Sequence, residues 1–163
     1  MIAEIGAFAL ALALALSLTQ AGLSAAGRLR RSAVLAAAGE GAAIAVFLSV
    51  LVAFAALMYG FVTSDFSISN VAANSHSEKP LLYRVAGTWG SHEGSMLLWC
   101  LALVACGAAV AGLGRNLPTG LRTLTVATQG ALGVVFLAYT VFASNPFMRL
   151  AEAPAEGRSL NPL

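Results

Sequence analysis

Trp89-Gly90-Ser91-His92-Glu93-Gly94-Ser95, with Trp99 a few residues on, gathers the side chains of this sequence best suited to chemistry. An imidazole beside a carboxylate is a titratable pair that can hold a proton, hydrogen-bond a ligand or ligate a metal. Two indoles can stack on a flat ligand, and Gly90 and Gly94 form a G-x-x-x-G step that lets another backbone or a flat cofactor come close. A plainer account stands beside this one. His92 and Glu93 then only hydrogen-bond neighbouring loops, the glycines pack helices, and the tryptophans belong to an interfacial belt. His92-Glu93 does not open an HExxH zinc site, because residue 96 is Met, and no other zinc-type cluster is present. His76, in Asn74-Ser75-His76-Ser77-Glu78, lies in a polar stretch and is expected to be solvated. Cys100 and Cys106 would stand about 9 Å apart along one helix and cannot bridge each other. They form no CxxC or CxxCH motif and read as small packing residues.

The elements that position these groups follow from composition. The 163 residues are 59% hydrophobic and 10% charged, with mean hydropathy +0.84, too apolar for a domain surrounded by water. A net charge of +2 with no basic run excludes electrostatic binding of nucleic acid. Stretches 5–27, 41–64, 94–114 and 123–148 contain no Asp, Glu, Lys or Arg. Each reaches the roughly 20 residues that cross a bilayer as a helix, and none alternates as a membrane β-strand would. The prediction is an all-α integral membrane protein of about four transmembrane helices, spanning about 5–27, 38–62, 94–114 and 123–143. An outer loop covers 63–93 and an outer tail 144–163. Within the loop, Pro80 opens Leu81–Trp89, which reads as a short interfacial helix with Tyr83, Arg84 and Trp89 at headgroup depth.

Orientation is read from the arginines. Arg28, Arg30 and Arg31 follow the first span, and Arg115 and Arg122 follow the third, in short links without acids. These links should face the cytoplasm, which places both termini outside. The first span lacks the basic leader of a secretory signal, carrying Glu4 instead, and is expected to be retained. Its alanine-leucine bias is expected to need no explanation beyond lipid contact. Glu40 enters the second span near its inner end and is expected to snorkel to the interface, a proton path being the alternative. The tail from Ser144, with Pro146, Pro154 and Pro162, is expected to be extended or ordered only against a partner.

Four passages resemble cytochrome c maturation protein F, the haem lyase family that attaches haem to apocytochromes c. They are Met1 to Gly6, Val71 to Ser75 with Pro80 to Arg84, Trp89 to Trp99, and Ser144-Asn145-Pro146-Phe147 with Glu156 to Leu163. A paralogue dedicated to nitrite-reductase haem insertion is similar as well. His76 stands where the family pattern calls for Asn or another small polar residue, and so takes no family role. The resemblance implies haem as cofactor, with its ligating histidines and tryptophan-rich signature outside this chain. The chain is then a fragment or one product of a split gene. Trp89, His92 and Trp99 would lie near the haem-handling surface, and Arg84, Gly90, Glu93, Gly94, Ser95, Asn145 and Pro146 would form motif and interface positions. The implied partners are the rest of the lyase or a second lyase chain, a haem chaperone, apocytochrome c with its thiol-handling subunit, and the lipid of a bacterial inner membrane. Two other readings need no haem. A small transporter or proton-conducting subunit would use Glu40, His92 and Glu93, and a non-catalytic scaffold would hold maturation components together.

Overall fold

The computed structural model describes residues 1–158, so Ser159 to Leu163, which close the last resembling passage and the predicted tail, lie outside the described residues. Four long helices dominate: α1 (Ile2–Arg30), α2 (Ala33–Val62), α5 (His92–Leu113) and α6 (Thr119–Phe142). Two short helices, α3 (Ser69–Asn74) and α4 (Leu81–Gly90), lie between α2 and α5, and a 3-10 turn, Gly114–Asn116, precedes α6. All four long helices are long and apolar enough to cross a membrane. At about 1.5 Å per residue, the 29 residues of α1 and 30 of α2 extend through a hydrocarbon core into the headgroup layers.

Each boundary has a local cause. Helix α1 carries Glu4 in its first turn and Arg28 and Arg30 in its last, charges placed with the helix dipole. It ends at Arg31, in left-handed conformation at φ 52°, and Ser32 N donates to Gly27 O at 3.0 Å. Ser32 then caps α2, its hydroxyl accepting from Leu35 N at 3.4 Å. Ser91 caps α5 in the same way, accepting from Gly94 N at 3.0 Å. The third span therefore begins two residues before the predicted 94. Pro80 is the residue before α4 rather than its first helical position.

Helices α1 and α5 each pack along both α2 and α6, closing a four-helix ring, and α4 leans on α2 and α5. In α1 the packed face is mostly small residues. Ala3, Gly6, Ala9, Leu10, Ala13, Ser17, Gln20, Ser24 and Gly27 are buried, so part of the small-residue content of this span serves helix packing beyond lipid contact, while Ala11, Leu12, Ala15 and Leu18 stay on the exposed face. A Cβ on Gly39 would meet Ser24 N at 3.0 Å, and one on Gly130 would meet Ala21 N at 2.7 Å. Polar groups add bonds within the same seam: Ser17 Oγ donates to Gly130 O at 3.0 Å, and Gln20 Nε2 to Val126 O at 2.9 Å. The opposite faces expose Phe8, Leu18, Val34, Trp99, Val135 and Phe142, the surface that a bilayer would cover.

The ring has two unlike ends. At one, the α1–α2 and α5–α6 connections bring the arginines together. There Glu40 is joined to Arg122, with Oε1 to Nε at 2.7 Å and both side chains largely buried. This pair links α2 to α6 and replaces the expectation that Glu40 reaches the interface alone. The other end carries α3, α4 and the tail.

Candidate functional site

At the loop end, the chain builds a polar cap from five segments: the start of α1, the α2–α4 connection, the start of α5, the end of α6 and the tail. Arg84 on α4 donates Nη1 to Val62 O at 2.9 Å, satisfying a carbonyl at the C-terminus of α2 with a positive charge. Gly87 lies against Phe61, where a Cβ would be 2.9 Å from the ring. These contacts seat α4 on α2 and leave Leu81, Leu82, Tyr83 and Trp89 on its exposed side.

The α4–α5 joint is tighter still. A Cβ on Gly94 would lie 1.7 Å from Thr88 O, so only glycine lets α5 start this close to the end of α4. Gly90 ends α4 and has open space around it. The two glycines thus stand on different helices, and the predicted G-x-x-x-G face is replaced by one backbone contact at Gly94. Ser95 Oγ donates to Trp89 O at 2.6 Å. His92, Ser95 and Trp99, at i, i+3 and i+7, fall on one face of α5. That face thus carries His92 and Trp99, both exposed, with the Trp89 carbonyl between them.

His92 Nδ1 shares a hydrogen bond with Ser144 Oγ at 3.2 Å, which leaves its Nε2 free. Ser144 opens a turn in which Asn145 Oδ1 accepts from Phe147 N at 2.9 Å. Pro146 and Phe147 are buried, and the Phe147 ring fills the space where a Gly6 Cβ would lie, at 2.3 Å. Between α3, the start of α5 and this turn lies a cleft of about 120 Å³ lined by Asn70, Asn74, Glu93, Ser144, Asn145 and Met148. Asn74 Nδ2 donates to both Asn70 O and Asn70 Oδ1 at 2.9 Å. That pairing fixes the amide of Asn70 and leaves its Nδ2 as a buried donor without a partner.

The tail has no helix among the described residues and packs on the chain's own loop, so its order there needs no partner, unlike the second of the two expected alternatives. Ser69 N donates to Met148 O and Leu150 N to Ser67 O, around an antiparallel bridge of Ile68 with Arg149. Arg149 Nε donates to Glu4 Oε1 at 2.9 Å, tying the tail to α1. Farther on, Glu156 accepts from Ser77 N at 3.0 Å and from Ser77 Oγ at 2.6 Å. Those bonds from Ser77 hold the Glu156 carboxyl down at a pKa of about 2. His76 is partly buried beside Glu156, 3.8 Å from its carboxylate, and its Nδ1 accepts from Glu78 N at 3.2 Å. It belongs to this clasp and is not the solvated residue expected.

The polar cleft is smaller than the about 300 Å³ at which small-molecule pockets begin, and it presents the Glu93 carboxylate. Trp99 lines only a shallow apolar surface with Leu98 and Ala102. No cluster of three or more His, Cys, Asp or Glu capable of holding a metal occurs among the described residues. Sequence reasoning singled out Trp89 to Ser95 and the positions Asn145 and Pro146, which lie at this end of the ring. It missed Asn70, Ser144 and the partnerships of Glu4, Arg149 and Glu156, which rest on contacts between segments far apart in the chain.

A ring of four apolar helices with one end closed by a hydrogen-bonded polar cap defines a multi-pass helical membrane protein with an ordered interfacial face. No protein-family model matches the chain. It is 52% identical over all 163 residues to the cytochrome c-type biogenesis protein ccl1 of Rhodobacter capsulatus, covering 25% of that protein. It is 48% identical to CycK of Rhizobium meliloti, again over the whole chain and 24% of the relative. A solved structure described as the cytochrome c heme lyase CcmF superposes with a TM-score of 0.85 at 28% identity, covering 90% of this chain and 25% of the other. The chain belongs to the CcmF/CycK family of cytochrome c-type biogenesis proteins and spans about a quarter of the length of these relatives.

Proposed function

We propose that the chain serves as the amino-terminal membrane module of a haem lyase, supplying helical scaffold and an outer polar cap for delivery of haem to apocytochrome c. What supports the reading is the match of the entire chain to the start of relatives named for cytochrome c biogenesis. In this reading the cap faces the periplasm of a bacterial inner membrane, and the arginine end faces the cytoplasm. Haem would supply the vinyl chemistry, and its ligands lie on the remainder of the lyase. This chain's own residues hold and orient the surface: Gly94 and Ser95 fix α4 against α5, and Ser144 orients His92. Trp89 and Trp99 offer apolar surface beside that imidazole. Its partners are the remaining lyase segment or a second lyase chain, a haem chaperone, and apocytochrome c with its thiol-handling subunit.

The experiment is a graft of these 163 residues in place of the corresponding quarter of the Rhodobacter capsulatus relative. Restored covalent haem on a reporter cytochrome c is the expected result. A graft that reaches the membrane intact yet yields no holocytochrome overturns the assignment. Sidedness is read by labelling Glu78→Cys, expected from the periplasmic side only, and labelling from the cytoplasm inverts the topology. The transporter alternative is weakened at Glu40, which is paired with Arg122 and so is not a free proton carrier.

A further inference from the structure

At the end opposite the cap, a cleft of about 250 Å³ opens between the α1–α2 turn and the start of α6. Its floor is Gly27 and Ala36, and its charged walls are Arg28 and Arg31, with no acidic residue among its lining. Neither arginine forms an ion pair among the described residues, whereas Arg122, in the first turn of α6, is taken by Glu40. The Arg28 guanidinium lies along the first turn of α6, with Nε 3.7 Å and Cζ 3.9 Å from where a Gly120 Cβ would be. The turn sets the Arg31 backbone, at φ 52° and ψ 36°, and both arginines line the cleft, so two guanidinium groups flank one opening.

The remaining walls are hydrogen-bonding. Ser32 and Thr119 bring hydroxyls, while the Thr123 hydroxyl is already committed to Thr119 O at 2.8 Å. Pro118, before α6, makes no side-chain capping bond, so the first N–H groups of that helix gain no side-chain acceptor from it. Paired guanidinium groups with free donors suit the oxygens of a phosphate. Exposed apolar residues adjoin this lining in sequence and supply a rim: Leu29, Val34 and Leu121 are 84%, 78% and 52% exposed. A free phosphate would leave those side chains bare, whereas a lipid would cover them with its acyl chains.

We propose that this cleft binds the phosphate of an anionic phospholipid headgroup, gripped between Arg28 and Arg31, with the acyl chains lying on the apolar rim. Basic clefts between helix ends at a membrane surface hold lipids by this combination of charge and burial.

The test is native mass spectrometry of the whole chain in mild non-ionic detergent, with added phosphatidylglycerol, phosphatidylcholine or inorganic phosphate. Phosphatidylglycerol adducts should exceed phosphatidylcholine adducts. The double substitution Arg28→Gln and Arg31→Gln should lower their occupancy about tenfold. Substituting Arg30→Gln and Arg115→Gln instead, which removes equal charge from the same end outside the cleft, should change it less than about twofold. Thr119→Glu, which places a carboxylate in the cleft at a helix start where it favours folding, should displace the lipid even if the arginine variant proves unstable. Equal losses for the two arginine pairs would reduce the effect to diffuse positive charge and overturn the proposal. So would inorganic phosphate binding as well as the lipid, or equal uptake of both lipids.

Discussion

Gly94 and Glu156 show how single residues hold the cap in two ways, one steric and one electrostatic. A methyl group at Gly94 would collide with Thr88 O, a backbone atom that cannot rotate away. Gly94→Ala should therefore cost about 1–3 kcal/mol in detergent unfolding, while Gly90→Ala, in open space, should be close to neutral. The Glu156 carboxyl is held at a pKa of about 2 by its bonds from Ser77. A depressed carboxyl pKa stabilises above its unfolded value, and that contribution fades as pH falls toward the folded one. Amide exchange in residues 150–158, expressed relative to the intrinsic rate at each pH, should stay slow at pH 7 and down through pH 5, and then quicken between about pH 4.5 and 2. Glu156→Gln should quicken it at pH 7 already. If His92 and Trp89 serve the haem-handling surface, His92→Ala and Trp89→Ala should lower holocytochrome yield in the graft more than His76→Ala. Equal yields for the three would remove that role. His76 was misread because its nearest charge, Glu156, lies far along the chain, and local composition around it is polar in either case.

Helices were the most legible part of the sequence, because lipid demands an unbroken apolar run and charge marks where each run stops. Which face of a helix is packed was harder to see. In α1 almost every residue is small or apolar, so period alone could not separate Ala9, buried, from Phe8, exposed. The glycines carry the information once the neighbours are known. Gly22 and Gly41 have open space around them, whereas Gly39 and Gly130 abut backbone atoms of α1. Gly22→Ala and Gly41→Ala should stabilise by roughly 0.5–1 kcal/mol through helix propensity. Gly39→Ala and Gly130→Ala should destabilise by about 1–3 kcal/mol, and a thermal melt series in one detergent separates the two classes. The Glu40–Arg122 pair belongs to the same scale. Glu40→Gln should destabilise because it leaves Arg122 largely buried without its carboxylate, and adding Arg122→Gln should recover much of the loss.

As a whole, the molecule is an insulated shaft with two dissimilar polar ends, and its cap was illegible from sequence for a topological reason. Glu4 and Arg149 are separated by 145 positions, and no local pattern pairs them. The same separation has a consequence in time. Glu4 leaves the ribosome ahead of Arg149, and at roughly 5–20 residues per second its partner follows on the order of 7–30 s later. Until then α1 can be inserted, and even paired with α2, while Gly6 has no Phe147 to pack and Glu4 no Arg149. The cap therefore closes only when α6 has crossed and delivered the tail to the side where α1 began. Its closure is a completion mark for membrane insertion: a chain with one helix inverted or skipped leaves Phe147 and Arg149 on the wrong side of the bilayer and its first turn unlatched.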